Sequence, residues 1–231
     1  MIMLFVMQTS LLALATTVMS ANTLGVMVIT SSNRNTVVAV PFAKIGSMVE
    51  SIDPAKFVSQ ANLTEGDLLY AFKNDVYKGW RLDGSGNWVA VANNEIGSDG
   101  LPMCEAADEN YTVAMGSGIW LVRKDEPVGP FRFYVYGDYR GEPVSTINAG
   151  AKNLIANPLG FRARPVLSST PAEGDALLVP ESGPLPLRWT FRGGAWRHDG
   201  KAASLPVFAV GHGAWYISKG DVDMSCSWQA E

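Results

Sequence analysis

Histidine and cysteine are nearly missing from this chain, with two of each in 231 residues. His198, His212, Cys104 and Cys226 are too few and too scattered for a zinc site, whose ligands recur at short, fixed spacings. No metal or other cofactor is expected. Charge is thin as well. Asp, Glu, Lys and Arg make up 17% of the chain, against about a quarter in an ordinary domain, and the net charge is −4. No basic run is dense enough to follow a phosphate backbone, which excludes nucleic acid as a partner. The Gly-x-Ser-x-Gly elbow of many hydrolases is absent, and no Lys-Ser/Thr follows a glycine loop at Walker spacing. Catalytic residues are therefore expected to be none.

What the chain does have is hydrophobic residues (47%), seven Trp, 23 Gly and 13 Pro, enough for a real core interrupted by many turns. Its first stretch, "MIMLFVMQTSLLALATTVMSANT", is apolar and uncharged. Leu11–Val18 fits the hydrophobic region of a secretory signal peptide, and Val18-x-Ser20 suits cleavage beside Ala21 or Asn22. The departure is an n-region without Lys or Arg. Residues 1–21 are thus expected to be a signal peptide, and the protein to be exported: periplasmic, at the cell surface or secreted. In such a compartment Cys104 and Cys226 could form a disulfide. The bond would close a loop of about 120 residues, worth ~4–5 kcal/mol in the chain-entropy model.

Four landmarks recur in the same order. "NTVVAVPF" (Asn35–Phe42) matches "NLIANPLG" (Asn153–Gly160), and "EGDLLYAF" (Glu65–Phe72) matches "EGDALLVP" (Glu173–Pro180). "GWRLDGSGNW" (Gly79–Trp88) matches "RWTFRGGAW" (Arg188–Trp196), and "GSGIWLVRKD" (Gly116–Asp125) matches "GHGAWYISKG" (Gly211–Gly220). A series of this kind indicates tandem duplication. Two β units are expected, over 22–140 and 141–231. Short β-branched and aromatic runs bounded by Gly, Asn, Asp and Pro predict strands, among them Gly25–Ser31, Phe131–Tyr139 and Leu205–Gly211. Two hairpins are predicted, turning at Asp83–Gly86 and Gly193–Gly194, with Trp80 facing Trp88 and Trp189 facing Trp196. Helix is expected only within Lys44–Ala61, interrupted by Pro54. The fold class is all-β, with little helix: tandem duplicated small antiparallel barrel or sandwich units.

"NLIANPLG", the Trp hairpin and the late Gly-x-Gly-x-Trp followed by an apolar strand together resemble a recurrent module of uncharacterised exported bacterial β-repeat proteins. That module reads Asn-Leu-Ile-x-Asn-Pro early and Gly-x-Gly-x-Trp late. The resemblance covers most of the chain after the signal peptide, in two copies. The first copy departs at Val40–Pro41, where the module has Asn-Pro. The resemblance implies secretion and a β fold, and no activity.

The Gly-x-Gly stretches lead into strand-like segments, so Gly116, Gly118, Gly211 and Gly213 are expected to shape corners beside Trp120 and Trp215. Each indole is expected to pack under its own copy. The "EGD" triplets read as turns whose carboxylates take local N–H groups. Calcium at "DGSGN" or "GSDG" is a minor rival of that turn reading. Trp80, Trp88, Trp189 and Trp196 admit a second reading as sugar-stacking platforms, with Asp83, Asn87, Arg188 and Arg197 at hand. Two functions follow. The leading one is a non-enzymatic module of the cell envelope or extracellular space, structural or binding another envelope protein. The alternative is a carbohydrate-binding protein that uses its Trp hairpins to hold a glycan.

Overall fold

The computed structural model describes residues 24–45, 51–59, 62–73, 75–93, 101–108, 110–140, 143–180 and 185–231. The expected signal peptide and the "GSDG" segment fall outside them. The first half holds β1 (Leu24–Ser31), β2 (Asn35–Ala39), β3 (Ser51–Ile52), α1 (Pro54–Phe57), β4 (Leu68–Lys73), β5 (Val76–Leu82), β6 (Trp88–Val91), β7 (Glu105–Ala106), β8 (Val113–Ala114), β9 (Gly118–Val122) and β10 (Phe131–Asp138). The second holds β11 (Ser145–Ile147), β12 (Lys152–Ala156), β13 (Ala163–Leu167), β14 (Ala176–Val179), β15 (Leu187–Arg192), β16 (Ala195–His198), β17 (Lys201–Ala202), β18 (Gly213–Ile217) and β19 (Met224–Ala230). The protein is all-β. No helix among the described residues is long and apolar enough to cross a membrane.

Each half is a sandwich. In the first, the sheet β2-β9-β4-β5-β6 packs on the ribbon β1-β10. In the second, β12-β18-β14-β15-β16-β17 packs on β11-β19-β13. These sheets all have free ends, so the barrel form of the expectation gives way to open sandwiches. The alternation of side chains decides which face is buried. Along β10, Phe131, Phe133 and Val135 point into the first core, against Leu69, Trp80, Ile119 and Leu121. In the second core Ile155, Leu177, Trp189 and Tyr216 meet Met224, Cys226 and Trp228.

The two main sheets share one strand order, and their registers align residue by residue. Trp120 stands between Val37 and Tyr70, and Trp215 between Leu154 and Leu178. Thr36, not Asn35, therefore matches Asn153, since Thr36 pairs with Leu121 and Asn153 with Tyr216. The motif match Asn35 to Asn153 is one residue out. In a strand such a slip would turn every side chain to the other face.

Three local expectations change. Pro54 starts α1 instead of interrupting a helix: it occupies the first turn, where its missing N–H costs nothing, and the Asp53 side chain accepts from Ala55 N at 2.9 Å. Leu205–Gly211 is no strand. Pro206 has no N–H for a ladder, and the segment touches β13 by the single bridge Ala163–Phe208. The Trp pairs of the hairpins do not face each other. Trp80 is opposite Ala90 and Trp88 opposite Leu82, while Trp189 is opposite His198 and Trp196 opposite Phe191. The Gly193–Gly194 turn forms as expected, with φ of +60° and +75° as a two-residue type I′ loop requires.

Candidate functional site

The repeated corners lie where the two units meet. Gly116 and Gly211 adopt φ of +91° and +74°, a region closed to most L side chains. Gly118 and Gly213 have ordinary φ but no room. A Cβ on Gly118 would press on Leu154 of the other unit at 3.1 Å, and one on Gly213 would strike Ile155 and Ala156 of its partner strand. The first glycine turns the chain and the second permits close approach.

That approach brings the outer faces of the two main sheets together. Val37 and Ala39 of β2 meet Leu154 and Ala156 of β12, all buried, with Phe72, Trp120 and Trp215 around them. The two corner indoles contact each other edge to face, with centroids 5.0 Å apart and planes at 82°. Trp120 also packs on Tyr70 and Tyr77. Both Trp residues are half-buried. The expectation that each indole sits under its own copy covers part of the arrangement: Trp120 packs on Tyr70 and Tyr77 of its own unit, and the two indoles also lie against each other. Backbone pairing crosses the seam too. Val38 bridges His212, Ser117 bridges Ile155, and Ala39 N donates to Gly211 O at 2.9 Å. His212 Nε2 donates to Thr30 O at 2.8 Å, and the Ser145 hydroxyl to Gly116 O. Burial holds the His212 pKa below its ordinary value, so the ring is kept neutral.

Beside the seam lies a cavity of about 420 Å³ with walls from both units. Tyr111–Met115 and Ser117 form one side, and Thr146, Asn148 and Lys152–Leu154 the other. Among the described residues, Asp75 and Lys152 are its only charged lining residues. The second wall is fixed internally: Asn153 Oδ1 accepts from Asn148 N at 2.9 Å, and its Nδ2 donates to Ala151 O at 3.1 Å. A small polar ligand fits such a cleft by size and lining.

The hairpin tryptophans are elsewhere. Trp80 is 4% exposed, Trp88 9% and Trp189 8%, and all three lie in the two cores. Their faces are closed to a sugar ring, which corrects the stacking-platform reading. Trp196 is half-buried against Phe191 and Tyr216. The cause is the inward side of the strand alternation, which they share with Leu82 and Phe191. Of the polar groups offered to a sugar, Asp83 Oδ1 is occupied by Ser85 N and Asn87 N.

Cys104 and Cys226 are buried free thiols in separate clusters, so the disulfide expectation is corrected as well. Burial raises both pKa values, that of Cys226 to about 12, so neither is a ready thiolate. His198 stacks on Trp189 at 4.3 Å, and its Nδ1 bonds Arg188 O at 3.1 Å.

Three buried polar groups carry more of the structure than their motifs suggested. Asp67 and Asp175 of the "EGD" triplets are fully buried. Each takes one N–H from its own turn, at Thr64 or Ala172, and one from across the sheet, at Lys124 or Lys219. Asn157, from the Asn-Pro of the second copy, is also fully buried. Its Nδ2 donates to the carbonyls of Phe161 and Ala209, and its Oδ1 accepts from Leu159 N. Val40 fills that position in the first unit as plain core. Recurrence at one spacing was the available signal for the two aspartates, and the second motif's Asn-Pro was the signal for Asn157.

No family model, curated protein or solved structure matches the chain.

Proposed function

We propose that this is an exported, non-enzymatic β-repeat protein, a structural or interaction module of the cell envelope or extracellular space. In this reading it arose by tandem duplication of the module its motifs resemble. The observation that carries the reading is the seam. The repeated Gly-x-Gly-x-Trp is spent on joining two equivalent sandwiches, with Trp120 against Trp215, and leaves a cleft walled by both. A motif retained in both copies to hold them together belongs to a scaffold.

Subcellular fractionation of cells expressing the full chain with a C-terminal epitope tag tests this. The expected product is shortened by about 20 residues, as a cleaved leader requires, and is found in the periplasmic, surface or medium fraction. Full-length protein confined to the cytosol would overturn it.

A further inference from the structure

The first unit covers the outer face of its Trp hairpin, and among the described residues the second leaves it open. In the first, Leu101 and Cys104 lie over β5 with Tyr70 and Val122 beneath, and β7 pairs with β5 at Lys78–Glu105. Gly79 has no side chain because Cys104 Sγ would stand 2.8 Å from its Cβ. The shared register puts Arg188 in the place of Gly79, Thr190 in that of Arg81 and Arg197 in that of Val89. What forms is a shallow groove of about 620 Å³ lined by Arg188, Thr190, Arg192, Arg197, Asp199 and Gly200.

The groove collects positive charge on one face. Arg188, Thr190 and Arg192 alternate with the inward Trp189 and Phe191, at about 6.7 Å between successive outward residues. Arg197 pairs with Thr190 across the hairpin. Among the described residues none of the three arginines is ion-paired with a carboxylate, and Asp199 lies instead 3.5 Å from His198 Nε2. Their bonds are to neutral oxygens: Arg188 Nε to Thr190 Oγ1 at 3.3 Å, Arg197 Nε to Arg192 O at 3.3 Å, and Arg197 Nη1 to Gly200 O at 3.4 Å. A guanidinium has five N–H donors, so these bonds aim the forks of Arg188 and Arg197 and leave most of their donors unused.

We propose that this arginine face binds an anionic polysaccharide, a linear glycan bearing sulfate or carboxylate groups. The charge calls for an oxyanion partner, and guanidinium forks hold such groups bidentately. Among the described residues the groove has no apolar or aromatic lining. It therefore lacks the buried anchor of a protein interface, the wedge of a lipid-inserting surface and the stacking platform of a single-stranded nucleic acid. A flexible, repeatedly charged chain laid along a flat sheet needs none of these. The proposal rests on the extracellular reading for its choice of partner. Its test uses the purified chain, so it fails or succeeds apart from the localisation experiment.

The test is retention on immobilised heparin, with salt elution, followed by titration with soluble heparin and alginate. A chain of net charge −4 is expected to bind heparin, to elute earlier from a plain sulfopropyl matrix, and to ignore neutral dextran. The triple variant Arg188→Gln, Arg192→Gln, Arg197→Gln is expected to lose roughly tenfold or more in affinity. Arg192→Gln alone should lose part of it, and Arg81→Gln, at the equivalent face of the first unit, none. Melting curves establish that each variant is folded. Flow-through of the wild type, equal retention of the triple variant, or tighter binding to polyglutamate or to phosphatidylglycerol vesicles would each overturn the proposal.

Discussion

Asp67 and Asp175 occupy the same place in the two units and are both fully buried, yet they are satisfied differently. Asp67 faces a cation, with Arg123 Nε 2.8 Å from its Oδ2 and the guanidinium resting 4.4 Å from the Phe131 ring centroid. In the second unit Ser218 stands where Arg123 does, and Tyr216 where Leu121 does. The Tyr216 hydroxyl donates to Asp175 Oδ2 at 2.7 Å, and Lys219 N to Oδ1 at 2.6 Å. Burial first, and then this bond, push the Tyr216 pKa well above its ordinary value, so the phenol keeps its proton. One buried carboxylate is neutralised by an ion pair, the other solvated by donors. Two units of one strand order therefore share the need for a buried acceptor beside the corner and not the identity of its partner.

The two solutions differ most when the carboxylate is removed. Asp67→Ala strands Arg123, whose side chain is 11% exposed, and should cost about 3–5 kcal/mol. Asp175→Ala strands a phenol and two N–H groups and should cost about 1–3 kcal/mol. Urea unfolding of both variants checks this, and equal losses would break the comparison. Adding Arg123→Ser and Leu121→Tyr to the first unit sharpens it. That pair, with Asp67 kept, should retain more stability than Arg123→Ser alone, because the new phenol replaces the missing donor.

The sequence carried the turns and the strand periodicity of this arrangement, and not the long-range partners. "EGD" reads as a turn, and Thr64 N and Ala172 N are the local donors that reading requires. Lys124 and Lys219 lie 57 and 44 residues further on, and reach Asp67 and Asp175 only because β9 and β18 are strand neighbours of β4 and β14. Glycine chemistry made the corners legible, since positive φ is a local property. What the corners abut was not legible, because a Trp followed by an apolar residue packs equally well on its own sheet or another. The tryptophan hairpins were legible as hairpins. Their register was not, because two aromatics on opposite arms fit either a direct or a diagonal pairing. Arg188 and Arg197 were legible only as companions of the Trp hairpin, and the arginine face they form with Arg192 had no motif of its own. It exists because Arg188, Arg192 and Arg197 alternate with a core stripe on strands whose pairing brings them together.

The seam tests whether the two units act as one body. Trp120→Ala and Trp215→Ala should each cost about 2 kcal/mol, less than a fully buried indole because both are half-exposed. The double variant should cost less than the sum by about 0.5–1.5 kcal/mol, the value of an edge-to-face pair. Strict additivity in a double-mutant cycle would mean that the indoles touch without holding the units together.

The smallest expected effect separates the two corners by pH. Ser117 and His212 are equivalent, and only the second titrates. His212 crosses the seam to Thr30 O and is held neutral by burial, with its folded pKa below the ordinary 6.5. Below about pH 6.5 the unfolded chain therefore binds a proton that the folded chain resists, and stability must fall as pH drops from there toward the lowered folded pKa. His212→Ser gives the second corner the first corner's residue. At pH 8 it should cost about 1 kcal/mol, the value of a neutral hydrogen bond. Wild type should lose stability faster than the variant between pH 7 and pH 5, so the gap between them narrows as acid is added. Parallel unfolding curves over that range would show that His212 carries its proton into the folded state and that the seam does not sense it.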